Sequence, residues 1–499
     1  MARRFLLLFA GYFFFCCVSG WLVAYPVFST VSVYLIGLWL SKMQRKGDKR
    51  VKTAEKEQRK VLKKRNARRQ KAVVAVGILI NLGILVTLKY SPFFTEIVNE
   101  VFKTEFAKPA FAVPIGISFY TLQAIAYLMD VYRRKITADK NLMRFALFMN
   151  FFPAIMEGPI CRYSETAEAL WEAPRIQYRN FVLGTQRILF GLMKKLVVAD
   201  RLNLLIKNVY SSYQDYDGFV IAVVGICYTV QLYCDFSGTM DLAVGTGQIF
   251  GITVPENFRR PFFSRSVSEF WKRWHITLGA WFRDYVFYPV SMSKGVSKMN
   301  KAARKRLGAH FGRIPAFAVA LFCVWICNGL WHGAGWQYVF FGMYHFVLIL
   351  AGNIIEPASL AITNKLHINR DKLPFKLIQI IRTTILVCIG ELFFRADDLK
   401  TGFAMFGKIF TSFSFQTLAD GTLFELGADS CDFIIVGVII VLLMVIGIIN
   451  EKNKSIRESA YNKNVFASFG VSFALILIIV IFGAYGDGYT PVDPIYASF

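Results

Sequence analysis

The chain has 499 residues; 55% are hydrophobic and 48 are phenylalanine. The apolar residues occur in long runs, so that residues 433–449 contain no charged residue and residues 72–90 contain one. A helix that crosses the hydrocarbon core of a bilayer needs about 20 apolar residues. The composition therefore excludes a secreted soluble domain, a disordered chain and an outer-membrane barrel, whose strands would alternate with period two. It predicts an all-α, polytopic integral membrane protein with about 10–12 transmembrane helices.

The positive charge is concentrated between predicted membrane helices. The formal net charge is +25, and residues 42–71 supply about half of it, with fifteen Lys or Arg and three acidic residues. A charge of this size can indicate nucleic-acid binding, but cytoplasmic loops of membrane proteins are enriched in Lys and Arg in the same way. We therefore expect no nucleic-acid partner, and a basic cytoplasmic insert next to the lipid bilayer.

The same rule orders the predicted helices across the membrane. Runs 5–24 and 26–41 are expected to leave the cytoplasm and return to it. Residues 294–313 carry seven Lys or Arg and no acidic residue, so they are also predicted to be cytoplasmic. Run 465–485 leads outward to an acidic tail. The pattern predicts a multi-pass protein of the plasma membrane.

The segment between residues 145 and 260 does not fit this regular alternation. Because Pro and Gly interrupt regular helices, we predict re-entrant or short helices there. The interruptions are Pro153, Gly158-Pro159, Gly238 and Pro255.

Residues 268–289, SEFWKRWHITLGAWFRDYVFYP, differ from a lipid-facing helix. On a helical wheel the aromatic residues, Trp274 among them, share one face, and charged residues such as Arg283 and Asp284 share the other. His275 falls at the edge of the aromatic face. The pattern predicts an amphipathic helix, either at the membrane interface or lining a cavity.

Residues 328–336, NGLWHGAGW, end an outward crossing. His332 is predicted to lie deep in the membrane or toward its outer half, and Gly333 and Gly335 allow a sharp turn after it. Asn328 lies one helical turn earlier, where it is placed to orient the imidazole. An ionisable residue inside the membrane indicates a functional site; the alternative is a histidine that is hydrogen-bonded to a neighbouring helix.

The available residue types favour proton transfer by imidazole, which is suited to this role near neutral pH. The sequence contains no GxSxG, HExxH or glycine-rich phosphate motif. The spacing of Cys323, Cys327 and His332 does not indicate a metal site, so no metal is predicted. For an enzyme, the simplest chemistry is the attack of an acceptor hydroxyl on a bound acyl donor, assisted by histidine, without a covalent enzyme intermediate.

Other ionisable residues in apolar runs are assigned structural roles. Glu391 and Arg395 are predicted to form an ion pair because they lie four residues apart. Asp235 is predicted to bond backbone groups at a helix break, and His345 is predicted to be a packing residue.

Five stretches of the chain resemble the membrane-bound O-acyltransferase (MBOAT) family, and they occur in the family's order. The resemblance is closest to the bacterial alginate O-acetylation membrane proteins and covers residues from about 110 to 395. We therefore expect one membrane domain, 1–499, with this core, N-terminal helices that carry the 42–71 insert, and C-terminal helices over 396–499. The stretches are VPIGISFYTLQAIAYLMDVYR, FFPAIMEGPICR, QLYCDFSGTMDLAVGTGQIFG, PENFRRPFFSRSVSEFWKRWHITLGAWFRDYVFYP and NGLWHGAGWQYVFFGMYH.

The resemblance implies a bundle around a central funnel, with His332 as the family's near-invariant histidine and His275 at its second conserved polar position. Both are candidate catalytic residues. The resemblance also implies that Arg283 contacts an anionic donor, although Arg283 is equally placed to pair with Asp284. The supporting tunnel residues are Asn328, Trp331, Trp274, Arg283 and Asp284.

The resemblance further implies an O-acyltransferase. It would move an acyl group, expected to be acetyl, from a cytoplasmic thioester to an exported cell-surface polysaccharide through an extracytoplasmic acyl-accepting protein. The donor, acetyl-CoA or an acyl carrier protein, is a substrate, and no bound cofactor is expected. If the protein is an enzyme, the alternative reaction is D-alanyl transfer to teichoic acid. If it is not an enzyme, the alternatives are a transporter and a scaffold of a polysaccharide export complex.

Overall fold

The computed structural model describes residues 2–452, 454–485 and 492, and the predicted acidic residues Asp487 and Asp493 lie outside them. The described residues form helices and no strand. The prediction of an all-α protein is confirmed.

The described chain divides into two compact units. The first comprises Met1–Phe181 and Thr246–Pro255, and the second comprises Val182–Gly245 and Glu256–Phe499.

A long hairpin of α2 and α3 dominates the first unit and carries the basic 42–71 insert. The insert is helical because Lys, Arg, Gln and Glu are good helix formers. It is held by Gln44, whose amide donates to the carbonyl of Val131 at 3.0 Å, and by Asp48, which accepts two bonds from Arg134. The helices are α1 Ala2–Ser19, α2 Ala24–Thr53, α3 Lys56–Phe102, α4 Ile117–Tyr132, α5 Leu142–Met149, α6 Phe152–Ile155 and α7 Tyr163–Glu172.

The second unit holds both candidate catalytic histidines and the remaining helices, except that α8 begins and α10 ends among residues assigned to the first unit. Single π-helical turns at Lys194–Ala199 and Arg283–Phe287 interrupt its α-helices. The helices are α8 Tyr178–Met193, α9 Asp200–Ser211, α10 Gly218–Ile249, α11 Val267–Arg273, α12 Ile276–Phe282, α13 Tyr288–Ser291, α14 Lys294–Phe311, α15 Ile314–His332, α16 Trp336–Lys365, α17 Leu373–Arg395, α18 Leu399–Thr411, α19 Gln416–Ala419, α20 Ser430–Glu451, α21 Ile456–Lys463 and α22 Val465–Phe482.

Eight helical stretches of the described residues are long and apolar enough to cross a membrane, so this is a multi-pass membrane protein. The difference from the predicted ten to twelve has two sources. Ala2–Thr53 counts as one stretch although it contains both α1 and α2. Helix α4 lies in the apolar run 111–131, which is also predicted to cross the membrane, but it has only 16 residues.

The middle of the chain follows the prediction of short helices only in part. Helices α5, α6 and α7 are short, but α10 runs without a break through Gly238. Gly238 serves packing instead: a Cβ atom there would lie 2.8 Å from the carbonyl oxygen of Gly191. Asp235 therefore does not lie at a helix break, and its carboxylate pairs with Lys195 at 2.7 Å.

Candidate active site

His332 lies at the end of α15, where a glycine-rich turn leads into α16. The two helices approach closely at Gly342, because a Cβ atom there would overlap the backbone carbonyl of Trp325. Gly333 allows a similarly close approach within the turn, because a Cβ atom there would overlap the ring of Tyr338. His332 is consequently buried, with 3% of its surface exposed.

Aromatic rings surround the imidazole of His332. Its centroid lies 5.0 Å from that of Trp331, 5.1 Å from that of Phe394 and 5.8 Å from that of Phe341, and each of these rings meets it edge-on. In such an apolar setting, water screens the interactions of an imidazole with a substrate less than it does at a surface. The setting therefore strengthens the hydrogen bonds that the imidazole can make to a bound substrate.

The segment 268–289 is not one helix, so the prediction of a continuous amphipathic helix was wrong. Helix α11 ends at Arg273 and α12 begins at Ile276. Between them His275 adopts a left-handed backbone conformation, with φ 46° and ψ 53°. This conformation costs an L-residue roughly 1–2 kcal/mol, so other contacts must hold the break in place.

Asn257 supplies those contacts. Its backbone carbonyl accepts a hydrogen bond from the N–H of Ile276 at 2.9 Å. Its side-chain Oδ1 accepts bonds from the backbone N–H of Thr277 at 3.0 Å and from the Thr277 hydroxyl at 2.9 Å. Asn257 therefore caps α12 from a distant part of the chain and satisfies N–H groups that a helix start leaves open.

Asn257 also determines which nitrogen of His275 carries the proton. Asn257 Oδ1 lies 3.2 Å from His275 Nδ1, and it must be an acceptor because the Thr277 N–H can only donate to it. Nδ1 is therefore protonated, and Nε2 carries the lone pair of the neutral ring. Burial lowers the pKa of His275, so the ring is neutral at pH 7.

Trp331 contacts both candidate catalytic histidines. Its ring centroid is 5.6 Å from that of His275 and 5.0 Å from that of His332. The two imidazoles therefore lie within about 11 Å of each other. The structure thus brings together three of the predicted site residues, on the α15 end and on the α11–α12 break.

A third buried histidine adjoins this cluster. His345 is fully buried, and its Nδ1 accepts a hydrogen bond from the indole N–H of Trp271 at 3.2 Å. Its ring is 4.7 Å from that of Phe341, which also contacts His332. These contacts tie α11 to α16 and agree with the packing role predicted for His345.

Trp274 packs away from the histidines. Among the described residues its ring contacts four other aromatic rings, with centroids 5.0–6.3 Å away, and neither His275 nor His332 is one of them. They belong to Tyr233, Phe258, Phe262 and Phe270. The assignment of Trp274 as a tunnel residue that supports His332 therefore remains a prediction.

The three remaining predicted site residues lie in different surroundings. Asn328 is buried, and its Oδ1 accepts no hydrogen bond from any residue that the structure describes. Among the described residues, therefore, no hydrogen bond to Asn328 Oδ1 orients the imidazole of His332 as predicted. Arg283 has a half-exposed side chain whose Nε donates to Asp284 at 3.1 Å. Two partners were predicted for Arg283, an anionic donor and Asp284. The structure contains the pair with Asp284.

The predicted ion pair between Glu391 and Arg395 was wrong. The guanidinium of Arg395 lies over the ring of Tyr210 and 3.9 Å from Asp397. Glu391 is 3% exposed, and its Oε2 has no hydrogen-bond partner among the described residues. Helical spacing places two residues on one face, but aromatic packing and a loop carboxylate direct Arg395 elsewhere.

A cavity of about 580 Å³ with several charged lining residues borders Asn257, the residue that holds His275. The cavity lies within the second unit, among α8, α10, residues 256–260 and α20 to α22. Its lining is strongly basic. The charged lining residues are Arg187, Lys194, Arg259, Arg260, Arg457, Asp241 and Glu256.

Most of these cations already have a carboxylate partner. Arg187 pairs with both lining carboxylates, Lys194 pairs with Asp241 at 2.6 Å, and Arg260 pairs with Glu451 at 2.8 Å. Arg259 and Arg457 have none among the residues that the structure describes. Burial, followed by the positive charge of Arg187, lowers the pKa of Arg457. The cavity therefore has room and positive charge for an anionic ligand.

Across residues 2–452, 454–485 and 492, no group of three or more His, Cys, Asp or Glu side chains is placed to hold a metal ion.

The sequence analysis did not identify Asn257 as a site residue. The available signal was its position in the PENF stretch, where a polar residue precedes several aromatic ones.

Comparison with known proteins identifies relatives among bacterial acyltransferases. The chain is 32% identical over 348 residues to "Probable alginate O-acetylase AlgI" of Pseudomonas syringae, covering 67% of this chain and 60% of that protein. It is 29% identical over 352 residues to the peptidoglycan O-acetyltransferase of Helicobacter pylori, covering 65% and 62%. It is 32% identical over 248 residues to the teichoic acid D-alanyltransferase of Bacillus subtilis, covering 48% and 59%. The chain thus matches about 60% of the length of these relatives.

A family model also matches more than half of the chain. It describes MBOAT, the membrane-bound O-acyltransferase family, and covers residues 9–304. The matched stretch begins before the sequence motifs at 110, includes His275 and ends before His332. On this match and these relatives, the chain belongs to the membrane-bound O-acyltransferase family.

Proposed function

We propose that this protein is an O-acyltransferase that moves an acetyl group from a cytoplasmic thioester donor to an exported cell-surface polysaccharide. The observation that carries the proposal is the buried pair of His275 and His332, both of which contact Trp331, in a chain of this family. The names of the alginate and peptidoglycan relatives support acetyl as the acyl group and a polysaccharide as the acceptor.

The chemistry requires one proton to move between the acceptor and the leaving group. The acceptor hydroxyl oxygen attacks the carbonyl carbon of the thioester while its proton passes to the imidazole of His332. The C–S bond then breaks, and the thiolate leaves and takes up that proton. No bond between enzyme and acyl group forms. A histidine base of this kind contributes about 10²–10⁴-fold to the rate.

His275 serves the donor side in this proposal. Its neutral ring, with Nε2 unprotonated, is held by Asn257, and Asn257 also lines the basic cavity. By the charge rule, the Arg457 end of that cavity faces the cytoplasm. Acetyl-CoA and a carrier-bound phosphopantetheine both carry phosphate at the end of the pantetheine arm that lies opposite the thioester, and arginine is well suited to bind phosphate. An extracytoplasmic acyl-accepting protein would receive the acetyl group on the other side.

Replacing Arg457 and Arg259 together by Gln should raise the KM for the thioester donor and leave kcat nearly unchanged, because these side chains would bind the ground state and the transition state equally. Loss of two hydrogen bonds to charged groups, at about 1.5–3 kcal/mol each, predicts a rise of at least about 100-fold. Steady-state transfer by the purified protein measures both constants. Arg306→Gln, on the exposed face of α14, is the matched control. An unchanged KM would contradict this location of the donor.

The proposed function is tested in a strain that lacks the gene. Mild alkali releases acetate and D-alanine from envelope polymers, and both are measured in the deletion strain and in the strain complemented with the wild-type chain. We expect the deletion to lose acetate and complementation to restore it. Loss of D-alanine instead would favour transfer to teichoic acid, for which the Bacillus subtilis relative is the supporting observation. Loss of neither ester would contradict both.

A further inference from the structure

A second cavity of about 580 Å³ lies between α16 and α17, beside the segment that leads into α11. It is here called the α16–α17 groove, and all of it belongs to the second unit. None of its lining residues lines the basic cavity beside Asn257. The residues that matter below are Arg265, Ser266, Leu348, Arg370, Arg382 and Leu386.

Three arginines from separate parts of the chain converge on the α16–α17 groove. Arg370 pairs with Glu356 at 3.0 Å, and Arg265 lies 3.4 Å from Asp371, whose side chain is 83% exposed. Arg382 donates to the backbone carbonyl of Arg265 at 2.8 Å and has no carboxylate partner among the described residues. The groove therefore carries net positive charge.

The wall beside these arginines is apolar and faces outward. Leu348 and Leu386 line the groove itself. Ile378, Ile381 and Ile385, which flank Arg382 on α17, have 63%, 57% and 54% of their surface exposed. Both α16 and α17 are apolar enough to cross a membrane, so this exposed surface faces hydrocarbon.

Arg382 is consequently a charged residue on a lipid-facing helix. It lies five residues after the start of the apolar run at Leu377, or about 7.5 Å along the helix axis. A charge at this depth is costly unless it reaches an anion at the level of the headgroups. Basic pockets between transmembrane helices on the cytoplasmic side are typical sites for acidic phospholipids, and the charge rule places this end of α17 there.

We propose that the α16–α17 groove binds a phospholipid with an anionic headgroup. The phosphate lies between the guanidinium groups of Arg265 and Arg382, with the hydroxyl of Ser266 as a further donor. The acyl chains lie along Leu348 and Leu386. The bound lipid anchors the start of α11, the helix that ends next to His275. This inference does not depend on the proposed acetyl transfer.

The test uses the full chain, purified in a neutral detergent and delipidated. Native mass spectrometry and thermal unfolding are recorded with dioleoyl phosphatidylglycerol, with dioleoyl phosphatidylcholine and with inorganic phosphate. We expect phosphatidylglycerol alone to stay bound and to raise Tm. A Tm rise with inorganic phosphate as large as that with phosphatidylglycerol would replace the lipid site by a simple anion site. Equal retention of both lipids would overturn the proposal.

Variants assign the effect to the groove. Each arginine near an anionic lipid surface contributes about five-fold in affinity, so Arg265→Gln with Arg382→Gln should weaken phosphatidylglycerol binding about 25-fold. Arg382→Gln alone changes one exposed side chain, so it is expected to fold. It therefore tests the site even if the double variant unfolds. Arg306→Gln on α14 should bind like the wild type. Unchanged binding by Arg382→Gln and by a folded double variant would refute the site.

Discussion

Replacing His332 by Ala should reduce the transfer of acetyl to polymer by about 10²–10⁴-fold, the usual contribution of a positioned histidine base. The side chain is buried among Trp331, Phe341 and Phe394, so Ala also leaves a cavity. His332→Gln keeps most of the volume and removes the base, so the two variants should lose activity alike. The measurement is acetate released by mild alkali from envelope polymer, at matched protein levels in membranes.

The control is His310→Ala. His310 is exposed on α14, and its ring contacts the backbone carbonyl of Asn353. This variant should retain wild-type ester content, because His310 lies outside the candidate site. Restoration of ester by His332→Ala would contradict the catalytic role and favour a transporter or a scaffold. A labelled acyl-enzyme that survives acid quench would contradict direct transfer between donor and acceptor.

The helical class and the position of His332 could be predicted from the sequence because both depend on local patterns. Apolar runs determine which segments enter a membrane, and the glycines that follow His332 end its helix. His332 accordingly lies at the end of α15 and is buried. The basic block at 42–71 was also recognised, although loop charge could not show that it extends α2 and α3 and forms the turn between them.

The surroundings of His275 depend on contacts that are distant in sequence. A helical wheel treats 268–289 as one helix, but Asn257, eighteen residues before His275, supplies bonds that favour a break at His275. Arg395 likewise turns from Glu391 to the ring of Tyr210, which lies far away along the chain. Periodicity describes one segment at a time, so it does not reveal which partner a side chain finds in the folded protein.

Replacing Asn257 by Ala should lower kcat about 10–100-fold per folded molecule, because His275 Nδ1–H loses its acceptor and the ring can adopt the other tautomer. The same change leaves the N–H and hydroxyl of Thr277 without their shared acceptor. That loss should lower the free energy of unfolding by about 1–3 kcal/mol. Acetyl transfer and thermal unfolding of the purified protein measure the two effects separately.

Asn257→Asp distinguishes a positioning role from a structural one. Its carboxylate still accepts from His275 Nδ1 and from Thr277, so the tautomer is kept and stability should largely recover. A negative charge beside the ring favours the protonated imidazole and raises the pKa of His275, which burial lowers in the wild type. Activity depends on the neutral ring, so the acid limb of the pH–rate profile should move to higher pH.

Thr277→Val is the matched control for this series. It removes one donor to Asn257 Oδ1 and leaves the contact between Asn257 and His275 in place. It should cost stability of the same order as one buried hydrogen bond, about 1 kcal/mol, while kcat and the pH profile stay at wild-type values. If Asn257→Ala and Asn257→Asp also kept the wild-type kcat and profile per folded molecule, Asn257 would be only a helix cap. The tautomer of His275 would then have no part in acyl transfer.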